Sequence, residues 1–177
     1  MLWMRNAGED SVRTSAYFDA SPRQVWRQIA LFEEVPRKAP SLLRMFLAEP
    51  LRTVGDKTRR GAVVKCEYRN GNLLKRMSVV EPPSLLEFEV LEQRLGIEWC
   101  VTAVGGSYHL RPRGRGTEIV LTTRYAGHLL PRILWRPFER WFAHTLHLHI
   151  LRGMGMALNG SAGMALPHTT RFSGTGL

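Results

Sequence analysis

The sequence predicts an α+β fold in which a curved antiparallel sheet of about six or seven strands wraps around one long C-terminal helix. Residues 60–127 alternate apolar and polar positions between turn residues, as consecutive antiparallel strands do. Pro131–Leu158 is the one long segment with helical periodicity, and it is apolar on too many sides to stand free. A sheet wrapped around such a helix encloses space, and aromatic side chains lining that space can hold a small apolar molecule.

The first elements are a strand and a capped helix. Ser11–Asp19 alternates apolar and polar residues, which predicts a half-buried strand. Ser21 supplies a hydroxyl N-cap, Pro22 occupies the first helical position, and Gln24 completes a capping-box pattern. The helix that begins there is expected to end near Phe32.

The middle of the chain is predicted to be a meander of antiparallel strands. Prolines limit any second helix before it to a short one over Ser41–Met45. Asn70 and Gly71 form the strongest hairpin signal, because both turn positions require positive φ. Gly105 and Gly106 lie inside a strand pattern and indicate a bulge. The predicted strands are Gly61–Arg69, Asn72–Val80, Leu85–Glu92, Ile97–Val104 (resuming after the bulge through Tyr108 and Leu110) and Thr117–Tyr125.

The last helical region contains two prolines. Pro131 begins it, and Pro137 lies where a proline removes a backbone hydrogen bond, so the main helix is expected to begin near Pro137. Gly153 and Gly155 are expected to weaken its end. The residues that recur at helical spacing, and so define its predicted inward stripe, are Phe138, Trp141, Phe142, Thr145, Leu148 and Arg152, with Leu146, Ile150 and Leu151 broadening it.

Length and composition indicate one cytoplasmic domain. The 177 residues fit a single domain, expected at residues 11–158 between flexible tails at 1–10 and 159–177. No apolar run reaches the length of a membrane span, and the first residues lack a secretory signal pattern. Cys66 and Cys100 are too few for a disulfide framework and are interpreted as small buried residues of a cytosolic protein.

The net charge of +10 is the unusual feature of the composition. Such a field attracts nucleic acid or anionic lipid without specificity. The arginines that supply most of it are scattered, and no zinc-finger spacing, aromatic RNA-binding strand or lysine-rich tail accompanies them. We therefore expect a solvated basic surface with no specific nucleic-acid partner. Weak contact with an anionic membrane stays open, because residues 129–142 mix Trp, Phe and Arg as interfacial helices do.

Four short segments, in order, resemble the SRPBCC or START-like superfamily, which includes the polyketide cyclase/dehydrase and lipid-transport groups. The segments are Ala20–Trp26 (ASPRQVW), Val54–Arg59 (VGDKTR), Val79–Pro83 (VVEPP), and Tyr108–Pro112 (YHLRP) followed by Gly116 and Thr117. The resemblance spans about residues 11–158 and implies a helix-grip fold around an apolar cavity. It does not specify a reaction, because the superfamily mixes carriers, sensors and cyclases.

The inward faces of the strands and of the last helix provide candidate ligand-binding residues. Large aromatic side chains supply contact area, and hydroxyl and imidazole groups orient a ligand. For each residue taken alone, filling of the core is the competing interpretation. The candidates are Tyr68, Met77, Phe88, Trp99, Tyr108, Thr123, Tyr125, Phe138, Trp141, His144 and Thr145.

Three histidines on the last helix invite a metal-site hypothesis, which the spacing disfavours. His144 and His147 share a side of the helix, but His149 lies about 140° around the axis from His144. No carboxylate is evident on that side, so no metal is expected. No other cofactor is expected either. His144 is the best placed of the three to reach a ligand.

Two functions remain open from the sequence. The first is carriage or sensing of a lipid, isoprenoid or polyketide in the cavity. The alternative is a cyclase/dehydrase-type enzyme, which needs at least one inward titratable group, with Tyr68, Tyr125 and His144 as candidates. Strand alternation places Arg76, His109 and Arg124 on the outer face. An interaction module without a cavity would instead pack Trp99 tightly against Trp141.

Overall fold

A computed structural model describes residues 9–31, 50–69 and 71–159. Its elements are β1 (Glu9–Phe18), α1 (Pro22–Leu31), β2 (Pro50–Val54), β3 (Val63–Tyr68), β4 (Gly71–Glu81), β5 (Leu85–Arg94), β6 (Val101–Arg113), β7 (Gly116–Gly127) and α2 (Arg132–Asn159). The seven strands form one antiparallel sheet in the order β1-β7-β6-β5-β4-β3-β2. The curved sheet with its long C-terminal helix confirms the predicted helix-grip fold. The predicted helix at Ser41–Met45 lies outside the described residues, as do most residues of the predicted tails.

The core lies between the concave face of the sheet and the two helices. Helix α2 packs mainly on β1, β7 and α1. Strand alternation sends Val12, Ala16 and Phe18 of β1 toward this core, where each is about 5–6% exposed. Several other core side chains have essentially no exposure: Val25, Val64, Leu110, Ile119 and Met154.

Helix α1 begins at the predicted cap. The side-chain oxygen Oε1 of Gln24 accepts hydrogen bonds from the Ser21 backbone N–H at 2.9 Å and from its hydroxyl at 2.7 Å. The backbone N–H groups of Gln24 and Val25 bond back to the Ser21 carbonyl. The cap fixes the point at which the chain leaves β1 and turns over the end of the sheet.

The β3–β4 hairpin is shifted by one residue from the prediction. Tyr68 pairs with Gly71, so Gly71 belongs to β4 and is not a turn position. Gly71 is needed for a different reason: a Cβ built on it would lie 1.6 Å from the Arg94 carbonyl oxygen. The glycine therefore allows a close approach of the β5 end and does not supply a positive φ.

The predicted strand at Ile97–Val104 starts too early. Ile97 accepts backbone hydrogen bonds from Cys100 and Val101 at 3.0 Å, which forms a turn, and β6 starts only at Val101. The side chain of Glu98 accepts hydrogen bonds from the backbone N–H groups of Leu95 and Gly96. These local hydrogen bonds outcompete strand pairing in this segment. The bulge predicted at the two glycines is confirmed as a register shift between Ala103 and Gly105.

The long helix begins earlier than predicted, because α2 runs through Pro137. The missing N–H of Pro137 leaves the carbonyl of Ile133 without its helical partner. Ile133 is 81% exposed, so water can reach this first turn, and the cost of the proline is small there. The helix continues through Gly153 and Gly155 to Asn159.

The inward stripe of α2 differs from the predicted one. The structure buries Glu139, Ala143, His147, Leu151, Gly153, Met154 and Gly155. A Cβ on Gly155 would lie 3.3 Å from the Phe18 ring, so small residues let the helix approach β1 closely. Thr145 lies about 160° around the axis from His147 and therefore faces away from this stripe. Neither helix of the described residues combines the length and apolarity required to cross a bilayer.

Candidate functional site

An aromatic band crosses the concave face of the sheet from β3 to β6. Tyr68, Phe88 and Tyr108 are half-buried there and pack against the core. The rings of Phe88 and Tyr108 lie 6.5 Å apart between centroids, and Met77 pairs with Phe88 in register. The ammonium group of Lys75 lies 4.9 Å from the centroid of the Phe88 ring. Because α2 packs mainly on β1 and β7, this band is the part of the concave face that the helix covers least.

A chain of histidines and threonines connects α2 to β1 and β7. Oγ1 of Thr14 lies 2.8 Å from Nδ1 of His144 and 2.8 Å from Nδ1 of His147. Nε2 of His147 lies 2.7 Å from Oγ1 of Thr123. The Thr14 hydroxyl has one hydrogen, so at least one of the two imidazoles donates to it through Nδ1. The chain runs His144–Thr14–His147–Thr123 and joins three elements.

Burial keeps these histidines neutral at pH 7. Burial, and to a lesser degree the neighbouring His144, lowers the pKa of His147 to about 4. Burial also lowers the pKa of His144. His147 and Thr14 are only 1% and 2% exposed, so their hydrogen bonds are sheltered from water.

An ionic cluster ties the start of α2 to β1. Arg132 donates to Glu139 Oε1 at 2.7 Å and to Asp10 Oδ2 at 2.9 Å. Arg136 donates to the other oxygen of Asp10. The hydrogen bond to Glu139 is the main reason that the pKa of Arg132 is raised. Both carboxylates are nearly buried, so the two arginines supply the charges that compensate them.

Tyr125 lies beside this cluster on β7. It pairs in register with Asp10 and packs against Val12 and Ala143. Burial, followed by the negative charges of Asp10 and Glu139, raises the pKa of Tyr125 well above its ordinary value. The phenol therefore stays protonated and is a hydrogen-bond donor at neutral pH.

Most of the predicted ligand-binding residues on the strands face the concave side. Met77 and Tyr125 are buried, and the other inward residues are half-buried: Tyr68, Phe88, Tyr108, Thr123 and, on α2, His144. The aromatic residues form the band, whereas Thr123, Tyr125 and His144 lie near β1 and the helix. The structure thus places these seven side chains in two groups on one face. Arg76, His109 and Arg124 alternate with inward neighbours and lie on the outer face, as predicted.

Four predicted residues do not lie in the interior. Trp99 is 68% exposed, because it belongs to the turn before β6, and it is therefore not packed tightly against Trp141. Phe138 and Trp141 are 39% and 44% exposed, with their rings 5.8 Å apart. Thr145 donates to the Trp141 carbonyl on the outer side of the helix. The structure does not place these four at the cavity: Trp99 lies in a turn, and α2 is rotated so that Phe138, Trp141 and Thr145 leave its buried face.

The sequence analysis did not include Thr14, Glu139 or His147 among the candidate site residues. A row of residues spaced by four (139, 143, 147, 151 and 155) contains Ala143 and Gly155. Small residues in such a row indicate a close approach, so this row was the available signal for the buried face.

Comparison with known proteins identifies the family. Residues 9–156 match the family model described as polyketide cyclase/dehydrase and lipid transport. The chain belongs to this family. Membership confirms the SRPBCC/START-like resemblance drawn from the four segments. None of the curated proteins matches the sequence.

Several solved structures share this fold. TTHA0849 from Thermus thermophilus has a TM-score of 0.59 at 17% identity, over 87% of this chain and 100% of that protein. Norcoclaurine synthase from Thalictrum flavum, in complex with dopamine and hydroxybenzaldehyde, has a TM-score of 0.57 at 15% identity, over 93% and 99%. Ara h 8.0201 has a TM-score of 0.57 at 9% identity, over 86% and 99%. At these identities the similarity establishes the shared fold.

Proposed function

We propose that this family member binds a hydrophobic small molecule, such as a lipid, isoprenoid or polyketide, between the concave face of the sheet and α2, as a carrier or sensor. The observation that carries the proposal is the half-buried aromatic band of Tyr68, Phe88 and Tyr108, which the helix leaves largely uncovered. Aromatic rings in such a position offer apolar contact area without the cost of displacing packed side chains. The lipid-transport part of the family description supports the same ligand class.

Seven residues are the proposed ligand contacts. The aromatic band and Met77 would supply apolar contact, and the polar group near β1 would orient one end of the ligand. The polar members are Thr123, Tyr125 and His144, of which the first and last belong to the histidine–threonine chain.

Native mass spectrometry of the purified protein tests the proposal directly. We expect a bound species whose mass, after extraction, identifies an apolar molecule. In parallel, the uncharged fluorescent probe N-phenyl-1-naphthylamine should bind saturably. Phe88→Ala should weaken binding of the probe by about tenfold. It removes apolar contact area and also the aromatic contact, which contributes about 1 kcal/mol beyond that area. Leu91→Ala, an exposed change on the same strand, should leave its affinity unchanged. The absence of both a bound species and saturable probe binding would overturn the proposal.

A second candidate is a cyclase/dehydrase-type reaction on the same ligand class. The observation that favours it is the chain of neutral histidines and threonines in the interior, because general acid–base chemistry needs such groups within hydrogen-bond reach of a substrate. A synthetic linear triketide thioester, followed by the absorbance of an aromatic product, tests this reaction. Turnover that His144→Gln removes and that the exposed His128→Gln retains would support an enzyme. No turnover with the wild type would leave binding as the function.

Weak contact with anionic membranes also stays a prediction, as does a cytoplasmic location. The supporting observation is a group of exposed apolar residues just before and within the first turn of α2: Leu130, Ile133, Leu134 and Trp135. Together with the net charge of +10, this group is suited to the interface of an anionic bilayer. Sedimentation with vesicles of phosphatidylserine and phosphatidylcholine, compared with phosphatidylcholine alone, measures the contact.

A further inference from the structure

Two buried polar atoms lack a hydrogen-bond partner within residues 9–31, 50–69 and 71–159: Oη of Tyr125 and Oε2 of Glu139. Tyr125 is 3% exposed and Glu139 is 8% exposed. A buried polar group without a partner destabilises a fold, and most such groups in proteins are paired. Two of them in one region therefore indicate a group that is bound there and completes their hydrogen bonds.

Tyr125 and Glu139 lie over the same face of β7. Gly127 lies two residues after Tyr125 on β7, so both face the same side of the sheet, about 7 Å apart along the strand. A Cβ on Gly127 would lie 2.5 Å from each carboxylate oxygen of Glu139. The carboxylate is thus held over Gly127, on the face of β7 that also carries the Tyr125 side chain. Its negative charge also contributes to the raised pKa of Tyr125.

The surroundings leave one oxygen of Glu139 available. Arg132 bonds only to Oε1, and the same arginine also bonds to Asp10. The Tyr125 ring packs against Val12 and Ala143, with Val101 beside them. The site therefore combines one hydrogen-bond donor and one charged acceptor, with apolar contacts from Val12, Ala143 and Val101 and with the ion pairs of Arg132 beside it.

Among groups with a single polar atom, a hydroxyl matches this pair in full. Its oxygen accepts from the Tyr125 phenol, and its hydrogen is donated to Glu139 Oε2. A carbonyl or ether satisfies the phenol alone, and an ammonium leaves the phenolic hydrogen without an acceptor. We propose that Tyr125 and Glu139 bind the hydroxyl group of an otherwise apolar alcohol or phenol. This inference rests on the proposed function and names the polar end of its ligand.

Matched probes test the inference. 2-Naphthol carries the hydroxyl, and 2-methoxynaphthalene has the same ring system but no donor. Wild-type protein should bind 2-naphthol about tenfold more tightly or better in calorimetric titrations at pH 7, as expected for a hydrogen bond to a charged group. Tyr125→Phe and Glu139→Gln should each bring the ratio of the two affinities close to one, chiefly by weakening the binding of 2-naphthol.

Two variants on the outer face are matched controls. Tyr17→Phe removes a phenol from the other face of β1, and Glu118→Gln alters a glutamate that is paired with Arg113 on the outer face of β7. Both should retain the wild-type preference. Tyr125→Phe should in addition raise the melting temperature of the ligand-free protein by about 2–4 °C, because it removes an unpaired buried hydroxyl.

Each outcome decides a separate point. Equal binding of both probes by the wild type, or an unchanged preference in Tyr125→Phe, would overturn the hydroxyl site while leaving apolar ligand binding intact. Failure of both probes to bind would overturn the proposed function itself. If Glu139→Gln does not fold, Tyr125→Phe alone carries the test. A melting temperature lowered by Tyr125→Phe, together with an unchanged preference, would assign the two atoms to an ordered water.

Discussion

Replacing His147 with glutamine should remove a pH-dependent part of the protein's stability. Glutamine is neutral at every pH and can still donate and accept hydrogen bonds toward Thr14 and Thr123. His147 is 1% exposed, so protonation would place a positive charge where water cannot reach it. The comparison of interest is therefore the slope of stability with pH, rather than the stability at one pH.

The magnitude follows from the pKa of His147. The ordinary value is 6.5, and burial, with a smaller contribution from His144, lowers it to about 4 in the folded protein. Between these pH values the unfolded chain binds a proton that the folded chain does not, so stability falls as the pH decreases from 6.5 to 4. At about 1.36 kcal/mol per pH unit, this group costs the folded state roughly 3 kcal/mol by about pH 4.

Urea unfolding at about pH 7, 6, 5 and 4 measures this difference. The wild type should lose roughly 3 kcal/mol more than His147→Gln across the range, with similar m-values. His128→Gln, an exposed histidine paired with Thr102, should behave as the wild type does. The lowered pKa values of His144 and His149 affect all three proteins. Parallel curves for the wild type and His147→Gln would refute the assignment of a buried neutral imidazole.

Three further predictions follow from packing and charge, each measured as a free energy of unfolding in urea. Gly71→Ala should cost at least about 2 kcal/mol, because the new Cβ would clash with the backbone oxygen of Arg94. Gly114→Ala should cost only about 1 kcal/mol, because its Cβ meets no neighbour and the cost comes from the positive φ alone. Met154→Ala should cost about 2–5 kcal/mol and Trp141→Ala under about 1 kcal/mol, because the first is buried and the second is 44% exposed. Arg132→Leu should lower the free energy of unfolding by about 3–5 kcal/mol. Asp10 and Glu139 are nearly buried carboxylates, and both would lose the cation that they bind.

Each of these comparisons has a contradicting result. Equal costs for the two glycine variants would show that β5 does not approach Gly71. A larger loss of stability for Trp141→Ala than for Met154→Ala would support the inward stripe predicted from the sequence over the buried face described for α2. A cost for Arg132→Leu as small as that of Arg113→Leu, which breaks an exposed pair, would show that water reaches the ionic cluster.

The sequence predicted those parts of the fold that depend on neighbouring residues. The cap at Ser21 and Gln24 is local, so its pattern specified the start of α1. The two glycines of β6 marked the bulge, because few other reasons place glycines inside a strand. The hairpin at Gly71 was predicted with the wrong cause, because the Arg94 oxygen that requires the glycine is distant in sequence.

The site was predicted less well, because its polar groups depend on distant partners. The partners of Arg132 are Glu139 and Asp10, and the latter is 122 residues away. A glutamate among arginines in the sequence is typical of a solvated surface, so Glu139 was not considered. The face of α2 could not be read from apolar residues alone, since they occur on every side of the helix. The predicted strand residues other than Trp99 lie on the expected face of the sheet, because alternation with period two leaves only two faces.

The pairing of β1 with β7 brings sequence-distant segments into contact. Thr117 donates its hydroxyl hydrogen to the carbonyl of Ala20, 97 residues earlier, and the His147–Thr14 hydrogen bond spans 133 residues. During synthesis, the apolar face of β1 therefore stays uncovered until nearly the whole domain has been made. A nascent chain that ends before Arg132 has neither the last helix nor a closed interior. Under the proposed function, a ligand is therefore retained only by the finished domain, once its last helix has docked.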